Sequence, residues 1–231
     1  SGGDYTLVAE FTPEQAEVPA EVFARQVLVD CLQARAVVVG ADFHFGKGRR
    51  GNVETLGVVG EEFGYEVLGL PLVKHLTGEG EVISSTSIRA ALSDGDVEKA
   101  HRLLGRPFEV RGVVTPGDRR GRTIGFPTAN IPTTSDLQVP ADGVYAAWYI
   151  REDGKEYPAA VNIGKRPTFY DDADKSLIEA HLIGFRGDLY GESAKVRFVR
   201  RLRGERKFEG IEPLKEQLAK DVADASKCLS D

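Results

Sequence analysis

The stretch richest in reactive possibilities is Gly117-Asp118-Arg119-Arg120-Gly121-Arg122-Thr123-Ile124-Gly125-Phe126-Pro127-Thr128-Ala129-Asn130. Gly117, Gly121 and Gly125 recur at a regular interval and precede two small polar side chains. Glycines at that density let backbone N–H groups close on phosphate oxygens, and Arg119, Arg120 and Arg122 add positive charge. Thr128 offers a hydroxyl oxygen and Asn130 an amide carbonyl, neutral ligands that suit a Mg²⁺ ion already carrying nucleotide phosphates and water. The plain alternative for the same residues is a hairpin loop closed by a proline turn.

Phosphoryl transfer also needs a base beside the attacking alcohol, and a carboxylate serves that purpose. Glu179 is the candidate, because a period of two puts it on one strand face with Leu177, His181 and Ile183. The ordinary alternative is a solvent-facing strand carboxylate. His181 reads as a hydrogen-bonded structural side chain. The basic run over 195–207 alternates with Val196, Phe198 and Leu202, so it reads as a solvated strand face in preference to an RNA site.

These side chains need a scaffold, and the periodicity of the chain changes at Gly105-Arg106-Pro107. Beyond it, alternation predicts strands near 108–112, 144–150, 157–163, 177–183 and 196–203, the spacing of a small antiparallel barrel. An amphipathic helix over 213–223 closes it. Before the boundary, strands over 6–11, 36–40 and 66–70 alternate with helices over 21–32, up to 63, from Thr86, and over 96–104 with Asp96 as N-cap. The β-branched run 36–40 predicts a strand buried on both faces, leading into a Gly-rich loop over 41–51. The expected fold class is thus α/β with a largely parallel sheet over 1–105, then a small antiparallel β-barrel with a C-terminal helix over 106–231.

Gly125-Phe126-Pro127-Thr128-Ala129-Asn130 is similar to the signature of riboflavin kinases. The resemblance continues through Gly143-Val144-Tyr145, through Asn162-Ile163-Gly164-Lys165-Arg166-Pro167-Thr168, through Glu179-Ala180-His181-Leu182 and through Leu202 to Phe208. It implies transfer of the ATP γ-phosphate to riboflavin, with FMN and ADP as products and Mg²⁺ carried by the nucleotide. Gly117, Gly121, Arg122, Gly125, Pro127, Thr128 and Asn130 then lie around ATP, Thr128 and Asn130 on the metal, and Glu179 acts as the base. Asn162, Arg166 and Thr168 are its flavin-side candidates, residues that otherwise shape a turn.

Upstream, Val38 to Gly46 and Ile83-Ser84-Ser85-Thr86-Ser87-Ile88-Arg89 resemble the second half of an FMN adenylyltransferase domain, which precedes the kinase in bifunctional bacterial FAD synthetases; the resemblance implies a partial nucleotidyltransferase Rossmann-like domain over 1–105. Ser84, Ser85, Thr86 and Arg89 would form a residual nucleotide-phosphate site; their alternative reading is a Ser/Thr helix cap. Two other matches fail. Gly46 to Gly51 fits G-x-G-x-x-G but does not sit at a strand end, and Gly40 to Lys47 lacks the P-loop spacing and hydroxyl. The resembling family carries a His-x-Gly-His element that His44, His75, His101 and His181 are too far apart to form, so adenylyl transfer is expected to be lost or crippled in this chain. An incomplete sheet is expected to expose a strand edge and to favour self-association. The rival readings are an intact bifunctional FAD synthetase of which this is a part, and an idle flavin or nucleotide-binding module.

Composition limits the partners. The net charge of −6 provides no overall positive field for nucleic acid, and no apolar run has the length of a membrane span. With acidic residues at Asp4, Glu10, Glu14, Glu17 and Glu21 the start does not read as a signal peptide, and a cytoplasmic location is expected. Cys31 and Cys228 are expected to be free thiols.

Overall fold

The computed structural model describes residues 3–71, 73, 82–117, 120–134, 137–165 and 176–230, with Arg120 and Lys165 described by their backbones only. The chain forms two compact units, Ser1–Val82 and Ile83–Asp231.

In the first unit, α1 (Pro13–Ala16) is capped by Thr12, whose hydroxyl accepts from the Gln15 amide. Helix α2 (Ala20–Ala24) runs on as a wider-wound helix to Cys31. Strand β1 (Ala36–Gly40) follows. Helix α3 (Val53–Phe63) opens on a reciprocal cap between Asn52 and Thr55 and ends at Gly64 in the left-handed region. Strand β2 (Glu66–Leu70) then pairs with β1 in parallel. One face of this pair, with Val37, Val39 and Val67, packs against Ala24, Leu56, Val59 and Tyr65. The other face is open: Val38, Leu68 and Leu70 are exposed. The expectation of a strand buried on both faces therefore fails, because the described core forms on one face only. The predicted strand over 6–11 is also absent; that stretch is irregular, and Leu7, Val8 and Phe11 are exposed.

The second unit opens with α4 (Ser85–Ser93) and α5 (Val97–Leu104). There follow β3 (Glu109–Val113), the single turn α6 (Arg120–Thr123), β4 (Ala129–Pro132), β5 (Gly143–Ile150), β6 (Glu156–Lys165), β7 (Ser176–Leu182), β8 (Ser193–Arg203) and α7 (Ile211–Ser230). The strands lie in the order β3-β8-β5-β6-β7-β4, every neighbouring pair antiparallel. A bridge between Thr115 and Asn130 joins the two ends, with the Thr115 amide donating to the Asn130 carbonyl at 2.8 Å. Alternation turns Ile131, Tyr145, Tyr149, Val161, Ile163, Ile178 and Phe198 inward into one core. Neither α6 nor β4 was expected, since four residues show no period.

Helix α7 packs on the outside of β5 and β6, where Ala146 and Ala160 admit Ala225. Its polar anchor is Asp221, which accepts from Arg203 Nε and Nη2 at 2.9 and 2.7 Å. The helix is longer than 213–223 because its apolar positions continue to Leu229 and Pro213 fits its first turn. The basic run is not a uniformly solvated face. Arg197 pairs with Glu109 and Glu156, Arg200 with Glu98, and Arg201 donates to the carbonyls of Asp94 and Asp142.

Helices α4 and α5 belong physically to the barrel. Ala91, Leu92, Val97 and Ala100 are buried in its main core, and the Leu92 carbonyl accepts from the Ala141 amide. Packing thus divides the chain at Val82, ahead of the change in periodicity at Gly105.

Two outcomes follow. Leu92→Ala should cost about 3 kcal/mol in urea unfolding of the barrel unit, within the range for a buried Leu truncation, and leave the unfolding of residues 3–71 unchanged. Burial pushes the Tyr145 hydroxyl up to about 12, and burial together with Glu192 raises Tyr149 as well. Both are neutral in the fold, so their contribution is complete below the unfolded tyrosine value of about 10 and is lost as pH rises toward about 12. An alkaline titration of phenolate absorbance should show them ionising only as the barrel opens.

Candidate active site

Strand register builds the site. Across β4, β7 and β6, Asn130 stands opposite Glu179 and Glu179 opposite Asn162. Their neighbours Ala129, Ile131, Ile178, Ala180, Val161 and Ile163 all point into the core, so these three side chains share the outer face. Adjacent strands are about 4.8 Å apart, which makes a continuous polar row with the carboxylate in the middle. The row continues through Val144 to Arg203. Glu179 and Asn162 are half-buried and Asn130 is buried.

Asn130 Oδ1 is shielded from solvent and has no hydrogen-bond partner among the described residues. A buried carbonyl oxygen left so is costly unless something binds it. The backbone beside it is shaped for close approach: a Cβ at Gly117 would stand 2.8 Å from Asn130 Cγ. At Gly121 a Cβ would collide with the Phe126 carbonyl, 3.8 Å from Thr128 Oγ1. Gly125 turns the chain with φ +92°, and the Phe126 amide donates back to the Gly121 carbonyl at 2.8 Å. Two neutral oxygens two residues apart, one of them unpartnered, make a donor set that fits a hard divalent cation. Among the described residues no cluster of His, Cys, Asp and Glu competes for that role.

Beside this pair lies a cavity of about 370 Å³ between Gly121, Arg122, Thr128 and Asn130 on one side and Phe185, Leu189 and Tyr190 on the other. Its far wall is held by Arg151, which donates to Glu192 through Nε and Nη2 at 3.0 and 2.7 Å and lies over the Phe185 ring. Tyr157 meets the same ring edge-on at 5.0 Å. The hydrogen bonds to the Glu192 carboxylate raise the Arg151 guanidinium above its ordinary value.

A riboflavin kinase family model matches residues 104–229 and an FAD synthetase model matches residues 1–87. The bifunctional riboflavin kinase/FMN adenylyltransferase of Bacillus subtilis is 38% identical over 230 residues, 99% of this chain and 71% of that protein. The chain belongs to the bifunctional riboflavin kinase/FMN adenylyltransferase family. Its counterpart in Listeria monocytogenes is 39% identical over 96% of this chain and 69% of its own length. A crystal structure of a macrolide-efflux protein from Streptococcus pneumoniae aligns with TM-score 0.75 at 35% identity, covering 92% of this chain and 66% of that one. No helix among the described residues here is long and apolar enough to cross a membrane.

Within this riboflavin kinase module the fold gathers most of the sequence candidates. Gly117, Gly121, Arg122, Pro127, Thr128 and Asn130 surround the cavity and its edge, with Glu179 next in the row and Asn162 beyond it. Arg166, Thr168, Asp118, Arg119 and the Arg120 side chain lie outside the described residues. Ser84 caps α4: its hydroxyl accepts from the Ser87 amide while Ser87 Oγ accepts from the Ser84 amide, both at 3.1 Å. Ser85, Thr86 and Arg89 are exposed on the first turns of that helix.

Sequence reasoning missed the far wall at Phe185, Leu189 and Tyr190, although the turn-rich Gly187-Asp188-Leu189-Tyr190-Gly191 directly after the Glu179 strand was a usable signal. It also missed that His181 Nδ1 meets the Pro127 carbonyl at 2.8 Å, a contact 54 positions apart with no local signature.

Gly117→Ala should force the Asn130 amide or its own backbone to move. The expected loss is about 1–3 kcal/mol, the usual cost of overpacking, read as a lower urea midpoint with unchanged slope.

Proposed function

We propose that this chain phosphorylates the ribityl 5′-hydroxyl of riboflavin with ATP, and that the row Asn130–Glu179–Asn162 is the reaction centre. The single observation that carries the reading is that register alone sets Glu179 between Asn130, with its unpartnered oxygen, and Asn162. We propose residues 106–231 as the kinase domain and 1–105 as the adenylyltransferase-related one, with α4 and α5 packed on the kinase barrel although the boundary counts them with the first.

The cavity takes the nucleoside of ATP, between Phe185, Leu189 and Tyr190 on one side and Gly121 and Thr128 on the other. Gly121 and the Arg122 guanidinium line the side of the cavity proposed for its phosphates. Thr128 Oγ1 and Asn130 Oδ1 would hold Mg²⁺, which would supply neutralisation of charge on the transferring phosphate. On the other side of Glu179, Asn162 orients the ribityl chain so that its 5′-oxygen lies in line with the γ-phosphorus. Glu179 accepts the hydroxyl proton as the new P–O bond forms and the bond to ADP breaks, giving FMN and ADP. Inward-facing strand neighbours hold all three side chains, so little reorganisation accompanies the step.

Arg166 and Thr168 belong to the flavin side of this proposal, and Ser84, Ser85, Thr86 and Arg89 to a separate nucleotide-phosphate site. The reading is of a cytoplasmic enzyme whose Cys31 and Cys228 are free. The open strand face with Val38, Leu68 and Leu70 is the proposed surface for self-association.

Incubation with riboflavin, ATP and Mg²⁺ should yield FMN by chromatography. Glu179→Gln should lower kcat by about 10²–10⁴-fold, the usual contribution of a positioned base, with riboflavin and ATP still bound. Loss of activity below twofold would remove Glu179 from the mechanism, and absence of FMN from the unaltered chain would refute the kinase reading. FAD beside FMN would mean that the chain also transfers adenylyl groups.

A further inference from the structure

The β4–β7 ladder stops at a revealing place. Its pairs run from Pro132–Leu177 to Ala129–Ala180, so the next rung would join Thr128 to His181. That rung is missing, and Pro127 has no N–H with which to continue. In its place the His181 side chain reaches across: Nδ1 meets the Pro127 carbonyl at 2.8 Å, and the ring stands edge-on to Phe126 at 5.5 Å and 62°. His181 lies on the same outer face as Glu179, two residues along β7.

We propose that His181 is a positioning residue for the metal site, its ring standing in for the lost rung and fixing the direction of Thr128 Oγ1 relative to Asn130 Oδ1. The inference rests on reading those two oxygens as Mg²⁺ ligands. Thr128 is fixed from both sides, by the Ala129–Ala180 pair and by the Pro127–His181 bond. A carbonyl only accepts, so the ring carries its proton on Nδ1. With Nδ1 donating to the backbone, His181 is not a second base for the riboflavin hydroxyl through that nitrogen. Neutral and protonated imidazole both keep this donor, so the contact carries no pH switch of its own.

The test compares three variants with the unaltered chain by calorimetric binding of ADP, with and without Mg²⁺. His181→Leu removes the donor. His181→Asn places an amide N–H near the position of Nδ1, whereas His181→Gln places it near Nε2. The expected result is a loss of about tenfold in Mg·ADP affinity for the Leu and Gln variants, roughly 1.4 kcal/mol, with metal-free ADP affinity unchanged and the Asn variant close to the unaltered chain. In turnover, the Mg²⁺ concentration for half-maximal rate should rise while the KM for riboflavin stays the same. Equal losses with and without Mg²⁺, unchanged Mg·ADP affinity in the Leu variant, or equal rescue by Asn and Gln would overturn the proposal. The Asn–Gln pair keeps the test decisive if the Leu variant folds poorly. An unaltered chain whose ADP affinity does not depend on Mg²⁺ would instead overturn the metal reading itself, and this inference with it.

Discussion

Antiparallel register between β4, β7 and β6 is the constraint on which the rest of the barrel unit depends. A shift of one residue would turn Asn130, Glu179 and Asn162 into the core and Ile131, Ile178, Ala180, Val161 and Ile163 into water. Each buried aliphatic side chain so displaced costs about 1.5–3 kcal/mol, far beyond what any outer-face contact returns. The apolar interior therefore sets the polar row on the exterior. The geometry of the proposed reaction centre is here a by-product of core packing.

Around that row the chain accepts local costs. Asn130 keeps a buried side-chain oxygen without a partner among the described residues, and glycine occupies positions 117 and 121, where a Cβ would meet the Asn130 amide and the Phe126 carbonyl respectively. The surrounding clamps are conventional and strong: Arg151 on Glu192 behind the cavity wall, and Arg203 on Asp221 beneath α7. Both guanidinium pairs are bidentate and mostly buried, the setting in which such pairs organise structure even where their net stabilisation is small. They fix the segments flanking the candidate site, while Asn130 Oδ1 stays without a hydrogen bond among the described residues.

Much of this was legible in the sequence. Strands β7 and β8 alternate between buried and more exposed residues, β5 is an unbroken apolar run, and α5 was bounded by an Asp cap and a turn glycine, so pattern and punctuation agreed. Residues 6–11 had the composition of a strand but form no strand pair among the described residues, and pairing is a property that no local window contains. The same limit applied to β1, whose burial depends on what covers each face. For the proposed site, the glycines and oxygen donors between Gly117 and Asn130 stood out because they fall in one continuous segment of sequence. The cavity wall at 185–190, the His181–Pro127 contact and the union of α4 and α5 with the barrel depend on tertiary neighbours, and their signals were weak or absent.

The most direct test is an experimental structure of this chain with Mg²⁺, ADP and riboflavin. The account predicts a metal bound by Thr128 Oγ1 and Asn130 Oδ1 at about 2.1 Å, with the riboflavin 5′-hydroxyl within about 2.6–3.2 Å of the Glu179 carboxylate. A metal held by other residues, or a 5′-hydroxyl on a different face of the barrel from Glu179, would contradict it.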